Sequence, residues 1–204
     1  MADISFMTLA DLAVPRPRGR AVAMGRDTAL VLAGAALIAL AAQVSFHMPW
    51  TPVPYTGQTG AVLLVGTVLG GPLGAISAAA YVLAGLGGLP VYAEGASGPA
   101  RLLGVTGGYL LGFVVAAALV GALARRGWDR SPLRAAALMA VGTIAIYIVG
   151  VPVLALAAHL PVWVAVEKGA LVFLPWDLFK LAVAALLLPL AWRVVGSGPS
   201  SGGG

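Results

Sequence analysis

Residues 59–89 read TGAVLLVGTVLGGPLGAISAAAYVLAGLGGL and hold no charged side chain. In hydrocarbon every backbone N–H and C=O must find a partner within the protein, and an α-helix supplies one for each. Gly70-Gly71-Pro72 interrupts the run, because proline has no N–H to donate and glycine weakens a helix interior. The stretch therefore divides into 59–69 and 73–89, a tight hairpin of two short membrane spans. The first half reaches only about 17 Å as a helix, against a hydrocarbon core of about 30 Å. It must be lengthened by the preceding loop, tilted, or shielded by protein.

Working outward, 28–46 is a second apolar run behind a leader, 1–27, that carries Arg16, Arg18, Arg20 and Arg26. It is longer than the 7–15-residue hydrophobic region of a cleaved signal, and no cleavage-like boundary follows, so it reads as a retained first span. Pro49, Pro52 and Pro54 make 47–58 an extended loop. Beyond the hairpin, 90–106 is a Gly- and Pro-bearing loop holding Glu94 and Arg101, and 107–124 is a fourth span. A basic loop with Arg125, Arg126, Arg130 and Arg134 leads to a fifth span at 133–158, where Gly142, Gly150 and Pro152 permit a bend. A loop at 159–169 with Glu167 and Lys168 precedes a sixth span at 171–192, which ends at Arg193. The Gly/Ser-rich 196–204 reads as a flexible tail, native or appended, with no assigned function.

Composition agrees with this division. The chain is 60% hydrophobic and 9% charged with a mean hydropathy of +0.99, whereas soluble domains carry about 25% charged residues. Between Thr28 and Ala124 the only formal charges are Glu94 and Arg101. Soluble folds, coiled coils and nucleic-acid binders are excluded despite the net charge of +5. With no cysteine, disulfides, thiol chemistry and Cys-bound metals are excluded too. The fold class is an all-α integral membrane protein with six transmembrane helices over 28–195. Six spans put the leader, the 125–134 loop and Arg193 on one side, which the positive-inside rule makes cytoplasmic. Five or seven would strand one basic cluster outside. Both termini are then cytoplasmic, and the loops at 47–58, 90–106 and 159–170 face outward.

Asp177 and Lys180 stand out because they lie at the head of the last span, in LPWDLFK, with too little apolar sequence after them to span without them. A charge at mid-bilayer costs at least about 2.5–3.5 kcal/mol and normally faces the bundle interior or a wet cavity. Their i, i+3 spacing puts them on one helical face. One reading is a structural ion pair or a pair of interfacial snorkelling side chains. The other is an outward-opening polar pocket in which Asp177 accepts N–H donors, Lys180 meets an anion, and Arg101 adds a bidentate carboxylate anchor. Glu94 and Lys168 read as wet loop residues. Trp50, Tyr55, Tyr81, Tyr92, Tyr109, Trp163, Phe173 and Trp176 all fall toward outward ends, where an aromatic belt accounts for most of them. In the first span Ala35 and Ala39, with Ala42, form a small-residue stripe that lets another helix approach, internally or from a partner.

Catalysis finds little support. Gly95-Ala96-Ser97-Gly98 matches the GxSG of rhomboid-like intramembrane serine proteases and His159 lies downstream, but no further His/Asn pair builds an oxyanion site. His47 and His159 alone do not make a metal site, and no cofactor is expected. No GxxxxGK[ST] motif is present, so the chain hydrolyses no nucleotide, and active transport by it needs an ion gradient or a separate ATPase. A proton-coupled solute carrier, with Asp177 as the proton site, is an alternative of that first kind.

Five motifs in order carry a resemblance: PVPYTGQT at 52–59, LGGPLGA at 69–75, the run from Tyr81 to GLPVY at 88–92, LGVTGGYLLGF at 103–113, and PWDLFK at 175–180. Across 28–193 the chain resembles the BioY family, the biotin-specific substrate-binding (S) components of energy-coupling-factor vitamin transporters. Val105 stands where the family commonly has proline, and Tyr55 where Val or Ile is usual. The resemblance implies a six-helix protein of the bacterial inner membrane with a biotin pocket near its outer face. The family's last-helix Asp-x-x-Lys falls on Asp177 and Lys180 and its pocket arginine on Arg101, with Gln58, Thr59 and Tyr92 as candidates for lining. It further implies a membrane coupling protein and two ATPase subunits as partners, met through the Ala35/Ala39 surface. Solitary or oligomeric action, and another vitamin on the same fold, are the neighbouring possibilities.

Overall fold

The computed structural model describes residues 7–196. Residues 1–6 of the leader and 197–204 of the tail lie outside the described residues, while Gly196 still belongs to the last helix. The helices in chain order are α1 (Leu9–Ala13), α2 (Arg20–Gln43), α3 (Gln58–Leu69), α4 (Gly71–Leu86), α5 (Pro99–Leu103), α6 (Gly107–Ala124), α7 (Pro132–Ala157), α8 (Val162–Gly169) and α9 (Leu174–Gly196). Helices thus occupy each of the six apolar stretches. Among the described residues Arg20–Gln43, Gly107–Ala124, Pro132–Ala157 and Val162–Val195 are long and apolar enough to cross a membrane, while α3 and α4 are shorter.

The apolar helix α6 is the centre of the bundle, packed against α3, α4 and α7, with Phe113, Ala116, Ala117 and Val120 buried. The α3–α4 turn presses on it at Gly121, where an added Cβ would lie 2.2 Å from the Gly71 nitrogen and 2.5 Å from the Gly66 oxygen. Glycine is the only residue that permits this approach. Helix α3 has 12 residues, about 18 Å of rise. Shielding by protein is what compensates its shortness: Ala61, Val62, Leu63, Val65, Gly66, Thr67 and Leu69 are all buried. Little of its surface is left for lipid, so it has no need to match the bilayer thickness.

Three segments differ from the sequence expectation. The first long helix begins at Arg20 rather than at Thr28, and the leader before it is structured. Thr8 and Asp11 form a reciprocal cap on α1, and the Arg26 side chain donates to the carbonyls of Ala10 and Val14 at 3.1 and 2.9 Å while pairing with Asp11 and Asp27. With those donors satisfied, the helix extends through its own charges. The 47–58 loop starts and ends in a small antiparallel pairing, β1 (Ser45–Phe46) with β2 (Tyr55–Thr56). The expected 159–169 loop holds α8, a short helix with Val162 and Trp163 exposed and Ala165 buried, too brief for a periodicity reading to catch.

Between α6 and α7, Asp129 is fully buried and accepts from the Trp192 indole N–H at 2.7 Å, while its Oδ1 has no hydrogen-bond partner among the described residues. Burial raises the Asp129 carboxyl above its ordinary value, against the lowering effects of Trp192 and Arg130. The folded state therefore holds the proton more tightly than the unfolded chain. Ionisation costs stability progressively as pH rises from about 4, the unfolded carboxylate value, through the raised folded value. Asp129→Asn escapes that cost. Its apparent melting temperature relative to wild type should climb from pH 4 upward and then level off, as read by thermal unfolding in detergent across a pH series. A difference that shrinks with rising pH would contradict this assignment.

Candidate functional site

The termini of several helices converge on one partly open cavity. Gln58 and Thr59 reach it from the start of α3, Tyr92 from the loop after α4, Arg101 from α5, Tyr109 and Phe113 from α6, Tyr147 from α7, and Asp177 and Lys180 from α9. Phe173 and Trp176 complete an aromatic wall, and Val53, Pro54 and Thr56 of the 47–58 loop cover it. All six side chains singled out as ligand candidates, Gln58, Thr59, Tyr92, Arg101, Asp177 and Lys180, therefore line the same space.

Its charged end is a hydrogen-bonded chain across three helices. Lys180 Nζ lies 2.6 Å from Asp177 Oδ1 and donates to Thr59 Oγ1 at 2.5 Å, tying α9 to α3. The Tyr147 hydroxyl donates to Asp177 Oδ2, tying α9 to α7. The side chains of Asp177 and Lys180 are only 10% and 20% exposed. They turn away from solvent and lipid, which their i, i+3 spacing at the head of α9 allows. Gln58 is buried beside them and donates to the Tyr81 hydroxyl at 2.8 Å. Tyr92 spends its hydroxyl on the Val82 carbonyl at 2.6 Å, so the surface it offers the cavity is its ring. Arg101 is the wettest of the lining charges, with its side chain 40% exposed and 3.9 Å from Glu94 Oε2. Glu94 is exposed as expected for a loop residue, yet it also meets His47 Nδ1 at 2.6 Å, so it joins two loops.

The cover is fastened from below. Thr51 donates to the Lys168 carbonyl at 2.7 Å, Tyr55 to the Val172 carbonyl at 2.5 Å, and the Trp176 indole to the Thr56 carbonyl at 3.4 Å. The Tyr55 ring also packs on Phe173 at 4.4 Å between centroids. The aromatic-belt expectation thus needs correction for most of its members. Tyr81 is fully buried and Tyr92, Tyr109, Phe173 and Trp176 face the cavity, while Trp50 and Trp163 are exposed in the manner of a belt. A belt and a pocket both draw aromatics to span ends, so position along the chain does not separate them.

Tyr147 is the site residue that sequence reasoning passed over. It lies mid-way along an apolar helix, and its one signal was a phenol among Ala145, Ile146 and Ile148, a group that needs a partner in hydrocarbon. On α2, Gly34, Ile38 and Ala42 face the bundle, and Ala35 and Ala39 sit at the flank of that face, half-buried against the core. Ser97 and His159 make no hydrogen bond to one another among the described residues, and His159 is held at a positive φ of 52°. No group of three or more His, Asp or Glu side chains able to hold a metal occurs among the described residues.

A partly open pocket with an aromatic wall, one buried ion pair and a more exposed arginine, set in a bundle of apolar helices, fits a membrane protein that captures a small polar solute. The comparisons narrow this class. The BioY family model matches residues 15–197, and the chain belongs to that family. It is 40% identical over 152 residues, 74% of this chain and 87% of the other, to the biotin transporter BioY of Thermotoga maritima. Its fold matches a crystal structure of the S-component for biotin from an ECF-type ABC transporter, with a TM-score of 0.74 at 23% identity over 88% of this chain and 96% of that one. The family is one of transporters and not of enzymes.

Proposed function

We infer that this chain is a biotin-binding subunit for vitamin uptake, spanning the bacterial inner membrane six times with both termini in the cytoplasm. The observation that carries the reading is the convergence of Asp177, Lys180 and Arg101 on one aromatic-walled cavity in a BioY-family chain. Biotin's ureido ring offers two N–H donors and a carbonyl, its fused thiophane is apolar, and its valerate tail ends in a carboxylate. The ring matches the buried end: Asp177 accepts from a ureido N–H and Lys180 donates to the adjacent ureido oxygen. The carboxylate keeps part of its hydration by staying beside the more exposed Arg101, which pairs with it. This orientation buries the neutral head and leaves the ligand's charge near water, which lowers the desolvation cost. Tyr92 and Gln58 line the space between.

The absence of a nucleotide-binding loop in the sequence points to energisation by others: a membrane coupling protein and two ATPase subunits. The coupling protein would meet the lipid-facing side of α2, bordered by Ala35 and Ala39. Isothermal titration of the detergent-purified chain with biotin should give saturable binding near one molecule per chain. Absence of heat at micromolar protein, with a different vitamin found by mass spectrometry of the co-purified ligand, would overturn the substrate assignment.

A further inference from the structure

We propose that Tyr147 is the positioning residue of this site, orienting the Asp177 carboxylate so that a remaining lone pair points at a ligand N–H group; the proposal rests on the biotin reading above. A carboxylate on a helix can rotate about two side-chain bonds. Lys180 takes one of its oxygens, but Lys180 belongs to the same helix, one turn on, and its flexible stem follows the carboxylate as it turns. Tyr147 comes from α7 and takes the other oxygen, so the carboxylate is held from two directions by two elements. Each carboxylate oxygen has two lone pairs. One pair on each is engaged, by Lys180 and by Tyr147, and one on each is left, so a fixed carboxylate presents a free lone pair to a ureido N–H while Lys180 beside it faces the neighbouring ureido oxygen.

The phenol is itself fixed. Its ring stands edge-on to Tyr109, 6.4 Å between centroids at 82°, and the Tyr109 hydroxyl donates to the Gly169 carbonyl at 2.8 Å. Asp177 is therefore referenced through two tyrosines to the end of α8. A neutral phenol hydrogen-bonded in this way also keeps the carboxylate an acceptor, so that a ligand whose matching edge carries acceptors in place of N–H donors is rejected.

A double-mutant cycle on biotin affinity tests this, since residues acting through one another give non-additive losses. Tyr147→Phe removes only the hydroxyl and should weaken biotin binding about tenfold, the scale of a hydrogen bond to a charged group. In an Asp177→Asn background, titrated at higher protein concentration, the same change should cost less than about threefold, because the group it orients is gone. Equal losses in both backgrounds, or no loss in the first, would overturn the positioning role. If Tyr147→Phe does not purify folded, Tyr109→Phe serves instead. It frees the Tyr147 ring without touching Asp177, and must weaken biotin severalfold in wild type but not beside Asp177→Asn. A wild-type chain that binds no biotin defeats the underlying reading and the proposal together. A chain that loses biotin with Asp177→Asn but not with Tyr147→Phe defeats the proposal alone.

Discussion

Asp177→Asn weakens biotin binding by more than tenfold, at least about 1.4 kcal/mol, when the purified variant is titrated beside wild type. Asparagine keeps the size of the side chain but replaces one acceptor oxygen with a donor, which then faces either the ligand's N–H or Lys180. The charge-assisted bonds lost are of the stronger kind, about twice a neutral pair. Lys180→Ala should reduce affinity by a comparable factor and, like Asp177→Asn with its lone buried ammonium, also destabilise the empty protein. It leaves the Asp177 carboxylate buried without its cation, and breaking such a pair from one side typically costs about 3–5 kcal/mol. The double change Asp177→Asn/Lys180→Met then separates the two roles. Thermal stability should return toward wild type because no lone charge is left, while biotin binding should not return. If both single variants bind biotin as wild type does, the pair is a structural staple and the pocket reads its ligand by other means.

Gly121→Leu prevents the bundle from assembling, and the expected readout is loss of the cooperative unfolding transition or aggregation on extraction. Overpacking a core usually costs about 1–3 kcal/mol because side chains yield. Here nothing soft is available to yield. The added carbon would meet the Gly71 nitrogen, the Gly70 carbonyl carbon and the Gly66 oxygen at 2.2, 2.4 and 2.5 Å, all backbone of the α3–α4 turn. Moving that turn moves α3, which carries Gln58 and Thr59 into the cavity, so any folded remnant should bind poorly as well. Gly25→Ala in α2 is the matched control. Nothing lies within 4 Å of its added carbon, and helix propensity predicts a gain approaching about 1 kcal/mol. A Gly121→Leu protein that melts like wild type would show that the turn does not lie against α6.

The apolar stretches, the hairpin break at Gly70-Gly71-Pro72 and the inward placement of Asp177 and Lys180 were legible in the sequence because each follows from a local rule. Hydrocarbon admits few charges, a membrane-embedded backbone must satisfy itself, and proline breaks a ladder wherever it stands. Arg101 was legible only as a charge in an outer loop. Its place in the lining of the Asp177 cavity depends on how the 90–106 loop folds back, through Tyr92 on Val82 and Gln43 on the carbonyls of Val91 and Tyr92. The helix α8 and the structured leader escaped notice for a related reason. Their stability comes from contacts with distant segments, Thr51 and Tyr109 in one case and Arg26 in the other, rather than from propensity or periodicity.

The amino-acid sequence alone determined the solvent this protein folds in and the number of apolar segments, and it identified the pair of charges too expensive to leave facing lipid. Transfer free energy and backbone hydrogen bonding act on each segment separately, so a single chain read end to end suffices for them. Only the tertiary structure decided which aromatics wall a cavity and which are exposed, that α3 survives its shortness by being enclosed, and that Tyr147 hydrogen-bonds the carboxylate of Asp177. Those outcomes depend on close packing among residues far apart in the chain, where displacements of an ångström decide whether two groups touch.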